Sequence, residues 1–116
     1  MVTARRSYGN SGEDFVAQSL QKNGYKIIDR NFSFRGGELD IIAEKEGIIY
    51  FVEVKSRKSN TYGHPLESIT PAKARKIKLT AQLYLAEAGR QEADCRFLFA
   101  ACNPEQGSVE LICDFI

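Results

Sequence analysis

Polar and apolar positions follow two rhythms along the chain. In "SGEDFVAQSLQKNG", Val16, Ala17 and Leu20 follow Glu13 at the i+3, i+4 and i+7 positions, which predicts a helix with those residues on one face. Ser11 can cap it, Asp14 stands where a capping box has its acid, and Gly24 suits a left-handed stop. A second helix is predicted over "PAKARKIKLTAQLYLAEA", with Thr70 as cap, Pro71 at its first position and Gly89 beyond its end. Its apolar stripe is Ala74, Ile77, Ala81, Tyr84 with Leu85, and Ala88. The segments "YKIIDRNFSF", "GELDIIAE", "IIYFVEVKSR", "CRFLFAAC" and "SVELICDFI" read as strands. "KEG" and "NPEQG" are turns, and "SNTYGHPLESI" is a polar loop expected to be mobile. The order α-β-β-β-α-β-β implies one α/β domain, residues 1–116, with a mixed central sheet flanked by helices and residues 1–10 expected to be flexible.

Two of these strands interrupt their apolar pattern with charge. Side chains alternate faces along a strand, so Phe51, Glu53 and Lys55 share one face, and Val52 and Val54 the other. Likewise Glu38, Asp40 and Ile42 share a face opposite Leu39, Ile41 and Ala43. If Lys45 pairs with Ile48 around Glu46-Gly47, Asp40 falls opposite Glu53 and Glu38 opposite Lys55; a three-residue loop would separate the carboxylates. Two carboxylates so placed repel, and either one stays protonated or a cation sits between them. Mg²⁺ suits such a place, because it takes oxygen ligands and often only one or two protein carboxylates. The competing reading is a salt-bridge network of Glu38 and Asp40 with Lys55 on a solvent-facing sheet. Glu13 has two readings as well. A carboxylate on an apolar stripe needs a partner or a metal, but one at the stripe's margin in the first turn suits the helix dipole.

Composition narrows the class. Net charge is +1 and overall composition is that of an ordinary globular chain. Residues 55–90, however, carry 8 basic side chains against Glu67 and Glu87, a local surplus suited to an anionic polymer or to a solvated helix face. No apolar run reaches the ~18 residues of a membrane span. "MVTARRSYGNSG" lacks the apolar core of a secretory signal, so a cytoplasmic location is expected. Cys95, Cys102 and Cys113 match no zinc spacing and are expected to be small buried hydrophobes.

"GELDIIA" followed by "FVEVKSR", with Asp40 thirteen positions before Glu53 and the Glu-Val-Lys triplet, resembles the PD-(D/E)XK nuclease signature. More closely, the ordered set "GEDFVAQSLQKNGYKIIDRNF", "GELDIIA", "FVEVKSR" and "PAKARKIKLTAQLYL" resembles the YraN-like bacterial family, whose fold is similar to that of archaeal Holliday-junction resolvases. The resemblance implies a restriction-endonuclease-like, resolvase-like fold and a divalent-metal-dependent DNA endonuclease, structure-selective for junctions or flaps. It assigns Asp40 and Glu53, with the Val54 carbonyl, as ligands of Mg²⁺ or Mn²⁺, and Lys55 as catalytic lysine. Glu13 becomes the first-helix carboxylate that ligates the metal or orients its water. Glu38 becomes an accessory acid and Arg57 a phosphate contact. Two departures stand out: Leu39-Asp40 replaces the signature's Pro-Asp, and Leu98 replaces an acid common in the fourth strand.

Lys73 and Lys76, three apart on the second helix, could reach backbone phosphates or be a solvated face. His64 is expected to be an ordinary loop residue, Tyr62 could stack on nucleic acid, and Tyr84 is expected in the core rather than, with Gln82, in a nuclease motif. Nucleic acid, DNA before RNA, is the expected partner. Resolvase-like relatives act on two strands as dimers, which implies a homodimer, although the sequence carries no clear dimer signature; a helicase or recombination protein is a further expected partner if the domain does not cleave alone. The alternative function is a nucleic-acid-binding module on a nuclease-like fold that does not cleave without a partner.

Overall fold

The computed structural model describes residues 11–57 and 63–116; residues 1–10, Tyr62 and the rest of the loop from 58 lie outside this description. Elements follow in the order α1 (Ser11–Lys22), β1 (Lys26–Phe34), β2 (Gly37–Lys45), β3 (Ile48–Ser56), a 3-10 turn (Pro65–Ser68), α2 (Pro71–Glu87), β4 (Cys95–Asn103) and β5 (Ser108–Cys113). The strands form one sheet in the order β1-β2-β3-β4-β5. β3 and β4 run parallel, joined by the crossover that contains α2, and the other neighbours are antiparallel. The expected mixed α/β sheet flanked by helices is therefore present.

Local chemistry ends each helix where expected. Beyond α1, Tyr25 N–H reaches Leu20 O and Gly24 N–H reaches Gln21 O, with Gly24 at φ 91°. Beyond α2, Arg90 N–H reaches Leu85 O and Gly89 N–H reaches Ala86 O. Both are Schellman closures, which satisfy the last carbonyls. Thr70 Oγ1 caps α2 by accepting Lys73 N–H at 3.1 Å, with Pro71 next to it.

α1 and α2 cover opposite faces of the sheet. Val16, Ala17 and Leu20 pack on Ile41, Ala43, Val52, Leu98, Ala100 and Cys102. Ile77, Ala81 and Leu85 pack on Leu39, Ile42, Ile49 and Phe51, with Tyr84 edge-on to Phe32 and Phe51. Tyr84 is thus a core residue. Burial on both faces explains the apolar composition of β3 and β4, since each large apolar side chain so buried contributes about 1.5–3 kcal/mol.

Several expectations change. Ala88 is exposed, because α2 has ended at Glu87, and Thr80 takes a core place instead, its hydroxyl satisfied by Lys76 O at 2.7 Å. The polar loop contains an ordered turn: His64 Nδ1 accepts Leu66 N–H at 3.0 Å and caps Pro65–Ser68. Of the cysteines, Cys102 is buried, Cys95 half-buried and Cys113 exposed on an edge strand. Among the described residues no helix is long and apolar enough to cross a membrane.

Candidate metal centre

The β2–β3 hairpin turns through Glu46 (φ 52°) and Gly47 (φ 82°), a pair of left-handed residues that closes a two-residue hairpin. Lys45 therefore faces Ile48, and the pairing runs on to Ile41–Val52. One more step would set Asp40 opposite Glu53, as the spacing predicts. There the backbone ladder stops. Asp40 Oδ2 instead accepts the N–H of Val54 at 2.8 Å. A strand residue directs its N–H and C=O to the same edge, so the Val54 carbonyl points to this gap as well.

The alternation of faces also slips here. Leu39 and Ile42 belong to the α2-side cluster, whereas Ile41 and Ala43 belong to the α1 side. Leu39 was expected to share the face of Ile41. On β1, Phe32 packs on the α2 side while Arg30 reaches α1, and Asn31 between them has φ 56°. The faces of both strands thus switch together at Asn31 and Asp40, a local bend that leaves the β1–β2 register intact, whereas the register shift of this pair falls between Ile27 and Asp29.

Asp40, Glu53 and Glu38 line a cleft of about 410 Å³, walled by Ala72, Lys73 and Ile77 of α2. Burial pushes the Asp40 carboxyl up to about 7, and the Glu53 charge pushes the same way. The Val54 N–H opposes them, while Glu13 and Glu38 add smaller upward pushes. Glu53 is half-buried, and its Oε2 lies 3.1 Å from Lys73 Nζ. Lys76 lines the same cleft.

Glu13 is buried to 1% exposure and its partner is a cation of the chain itself. Arg30 Nε and Nη2 donate to Oε1 at 2.9 and 2.7 Å, and Asn31 Nδ2 donates to Oε2 at 3.0 Å. Arg30 Nη2 also reaches Asp14 Oδ1 at 2.6 Å. Sequence reasoning missed Arg30 and Asn31; the available signal was a charged, amide-bearing pair inside the apolar run "KIIDRNF". Among the described residues no group of three or more His, Cys, Asp or Glu side chains is gathered closely enough to hold a metal ion. Asp40 and Glu53 come together, and Glu13 stands close enough to bias Asp40 while engaged with Arg30 and Asn31.

Lys55 is exposed and lines a second cleft, of about 400 Å³, with Arg57, His64 and Ser68. No ion pair joins it to Glu38 or Asp40 among the described residues, so the alternative salt-bridge network is not what holds these strands. Arg57 Nη2 lies 3.7 Å from Glu110 Oε1, which also takes His64 Nε2 at 2.9 Å. Because His64 Nδ1 accepts a backbone N–H, its proton sits on Nε2 and is donated to Glu110.

Comparison with known proteins now adds a family. A model described as "Uncharacterised protein family UPF0102" matches residues 12–102. The chain belongs to this family. A UPF0102 protein of Symbiobacterium thermophilum is 47% identical over 99 residues, covering 85% of this chain and 84% of that protein. One from Desulfosudis oleivorans is 42% identical over 112 residues, 97% of this chain and 91% of its own. A third, from Persephonella marina, is 48% identical over 89 residues, 77% of each. The UPF0102 match reaches from α1 to β4 and so includes every element that shapes the cleft, leaving β5 outside it. These names carry no activity, so the chemistry rests on the site.

Proposed function

We propose that the protein is a divalent-metal-dependent nuclease that hydrolyses phosphodiester bonds of DNA. The observation that supports this reading is the convergence of Asp40 and Glu53 where β2 and β3 part, beside the Val54 N–H, on whose edge strand geometry also sets the Val54 carbonyl. The donor set fits a hard cation: all donors are oxygens, and the burial and neighbouring Glu53 charge that hold Asp40 up to about 7 make a place where an added positive charge is favoured. Asp40, Glu53 and the Val54 carbonyl would hold Mg²⁺ or Mn²⁺. When bound, such an ion lowers the pKa of a water and screens charge on a phosphoryl group.

The chain's own residues supply the rest. Glu38, which also lines the cleft, is an accessory carboxylate that takes up a proton as a base. Lys73 and Lys76 flank the carboxylates and take backbone phosphates, and Lys55 and Arg57 add cationic groups in the neighbouring cleft. From there Lys55 takes a phosphate of the same DNA strand beyond the scissile one. Glu13 acts on Asp40 through its charge and anchors α1 against the bend. A second reading has its own support. The Lys73 ammonium already stands on Glu53, as it would in a nucleic-acid-binding module that does not cleave without a partner.

A cleavage assay separates the two. Labelled junction, flap, single-stranded and duplex DNA are incubated with Mg²⁺, Mn²⁺ or chelator, beside Asp40→Asn. Metal-dependent cutting is expected, and the variant should lose it by on the order of a hundredfold or more while still binding DNA. Intact DNA in every lane, with a salt-sensitive gel shift, would replace this reading with the second.

A further inference from the structure

A groove beside the cleft shares Lys76 with it and otherwise takes no part in the chemistry above. Its walls are Phe34 and Arg35 at the β1–β2 hairpin tip and Arg75, Lys76, Leu79 and Leu83 on α2, around about 280 Å³. Phe34 is 41% and Leu79 57% exposed, two of the three large apolar side chains so exposed among the described residues. No acidic residue lines the groove, and it adjoins the carboxylate cleft, since Ala72 and Lys76 line both.

The hairpin tip is rigidly presented. Phe34 pairs with Gly37 across a two-residue turn of Arg35 (φ 50°) and Gly36 (φ 85°). Glycine, Asn or Asp would fit the first of these positions without cost, whereas a long side chain there costs roughly 1–2 kcal/mol. The chain accepts that cost and places the Arg35 guanidinium 5.3 Å from the centre of the Phe34 ring. The base of the turn is seated on α2: a side chain at Gly37 would collide with Thr80 Oγ1 and press on Lys76. The Glu46-Gly47 turn has the same backbone geometry but no such seat, for nothing lies near Gly47.

We propose that this hairpin tip and the facing side of α2 form a stacking platform for an unpaired base, on a strand whose backbone continues into the Asp40–Glu53 cleft. The proposal rests on the nucleic-acid reading above and specifies the substrate: a strand with at least one unstacked nucleotide beside the scissile phosphate. An exposed aromatic ring and a guanidinium plane stack on any free base face, and Arg75 and Lys76 pair with the phosphates that flank it. Duplex DNA presents no free base face along its length. A second copy of the chain fits poorly, because a two-fold contact through this groove sets its three cations near the same three of the partner.

The test is fluorescence anisotropy in chelator with a short fluorescein-labelled single-stranded oligonucleotide and the same sequence as duplex. Phe34→Ala should weaken single-strand binding about tenfold and leave duplex binding unchanged, and Phe34→Tyr should restore it. Arg75→Ala should weaken both and lower the salt slope by about one. Single-strand affinity equal to wild type in Phe34→Ala overturns the platform. So does light scattering that shows Phe34→Ala splitting a dimer while DNA affinity holds. Because the readout is binding without metal, Phe34-dependent binding with no cleavage in the metal assay overturns only the nuclease reading. Metal-dependent cleavage with Phe34-independent binding overturns only the platform.

Discussion

Glu13 on α1 and Asp40 on β2 both carry a carboxylate out of solvent. Around Glu13 the chain supplies two donors from Arg30 on one oxygen and one from Asn31 on the other. Around Asp40 it supplies one backbone N–H and then a second carboxylate, Glu53, in the same cleft. The first arrangement is electrically closed. The second is left short of positive charge: among the described residues its carboxylates have one ion pair, with the flexible, 43% exposed ammonium of Lys73, while Lys76 lines the same cleft. A charge matched within the chain reads as architecture; a pair of like charges held together by two strands reads as a place for a cation from outside.

Removing the internal cation breaks the comparison most severely. Arg30→Met takes the counter-charge away from buried Glu13, and should cost about 3–5 kcal/mol in urea unfolding. Adding Glu13→Gln should recover much of that, because an amide needs no counter-charge. A cost below about 0.5 kcal/mol for Arg30→Met, the scale of an ordinary surface substitution, would mean that Glu13 is not balanced by Arg30.

Asp40 should respond in the opposite direction. Its folded carboxyl holds its proton up to about 7, against 3.8 in the unfolded chain. Stability tied to the protonated form is complete below about pH 4 and is lost as pH rises through 7. Asp40→Asn, which mimics the neutral acid and keeps an acceptor for Val54 N–H, should match wild type near pH 4. At pH 8 and without metal it should be more stable by roughly 1–3 kcal/mol, a melting rise of several degrees. Mn²⁺ should raise the wild-type melting temperature more at pH 8 than at pH 5.5, since protons and cation compete for one carboxylate, and should leave Asp40→Asn unmoved. A variant less stable than wild type at pH 8 would remove the like-charge account of the cleft.

The closed site and the open one were not equally legible. Periodicity and cap chemistry located both helices and all five strands, because Thr70-Pro71, Gly24 and Gly89 act through local backbone preferences. The two-residue turn at Glu46-Gly47 carried the register as far as Ile41–Val52, and so the approach of Asp40 to Glu53. What alternation could not supply was the bend at Asn31 and Asp40, where a side chain replaces a ladder hydrogen bond and Leu39 changes faces. Arg30 stayed hidden for a related reason: its partnership with Glu13 joins residues seventeen apart, from β1 to α1, beyond the reach of any helical or strand spacing. Lys55 was placed by parity on the face of Glu53, yet it lines a neighbouring cleft, beyond the point where the β2–β3 ladder has stopped.

The smallest effect concerns Lys73, the one element of the open site that resembles closure. Its ion pair with Glu53 is partly exposed, and such pairs contribute about 0–1 kcal/mol, so Lys73→Met should barely change urea stability. Its ligand effects should be clearer. With the ammonium gone, Glu53 loses its ion-pair partner, and Mn²⁺ should raise the melting temperature of Lys73→Met more than that of wild type. DNA affinity should fall modestly and the salt slope by about one, because a phosphate contact is lost. If Lys73 were instead the permanent counter-ion of Glu53, as Arg30 is of Glu13, the variant would lose stability on the scale of Arg30→Met. It would then take up Mn²⁺ no better than wild type, and the distinction between the two carboxylates would disappear.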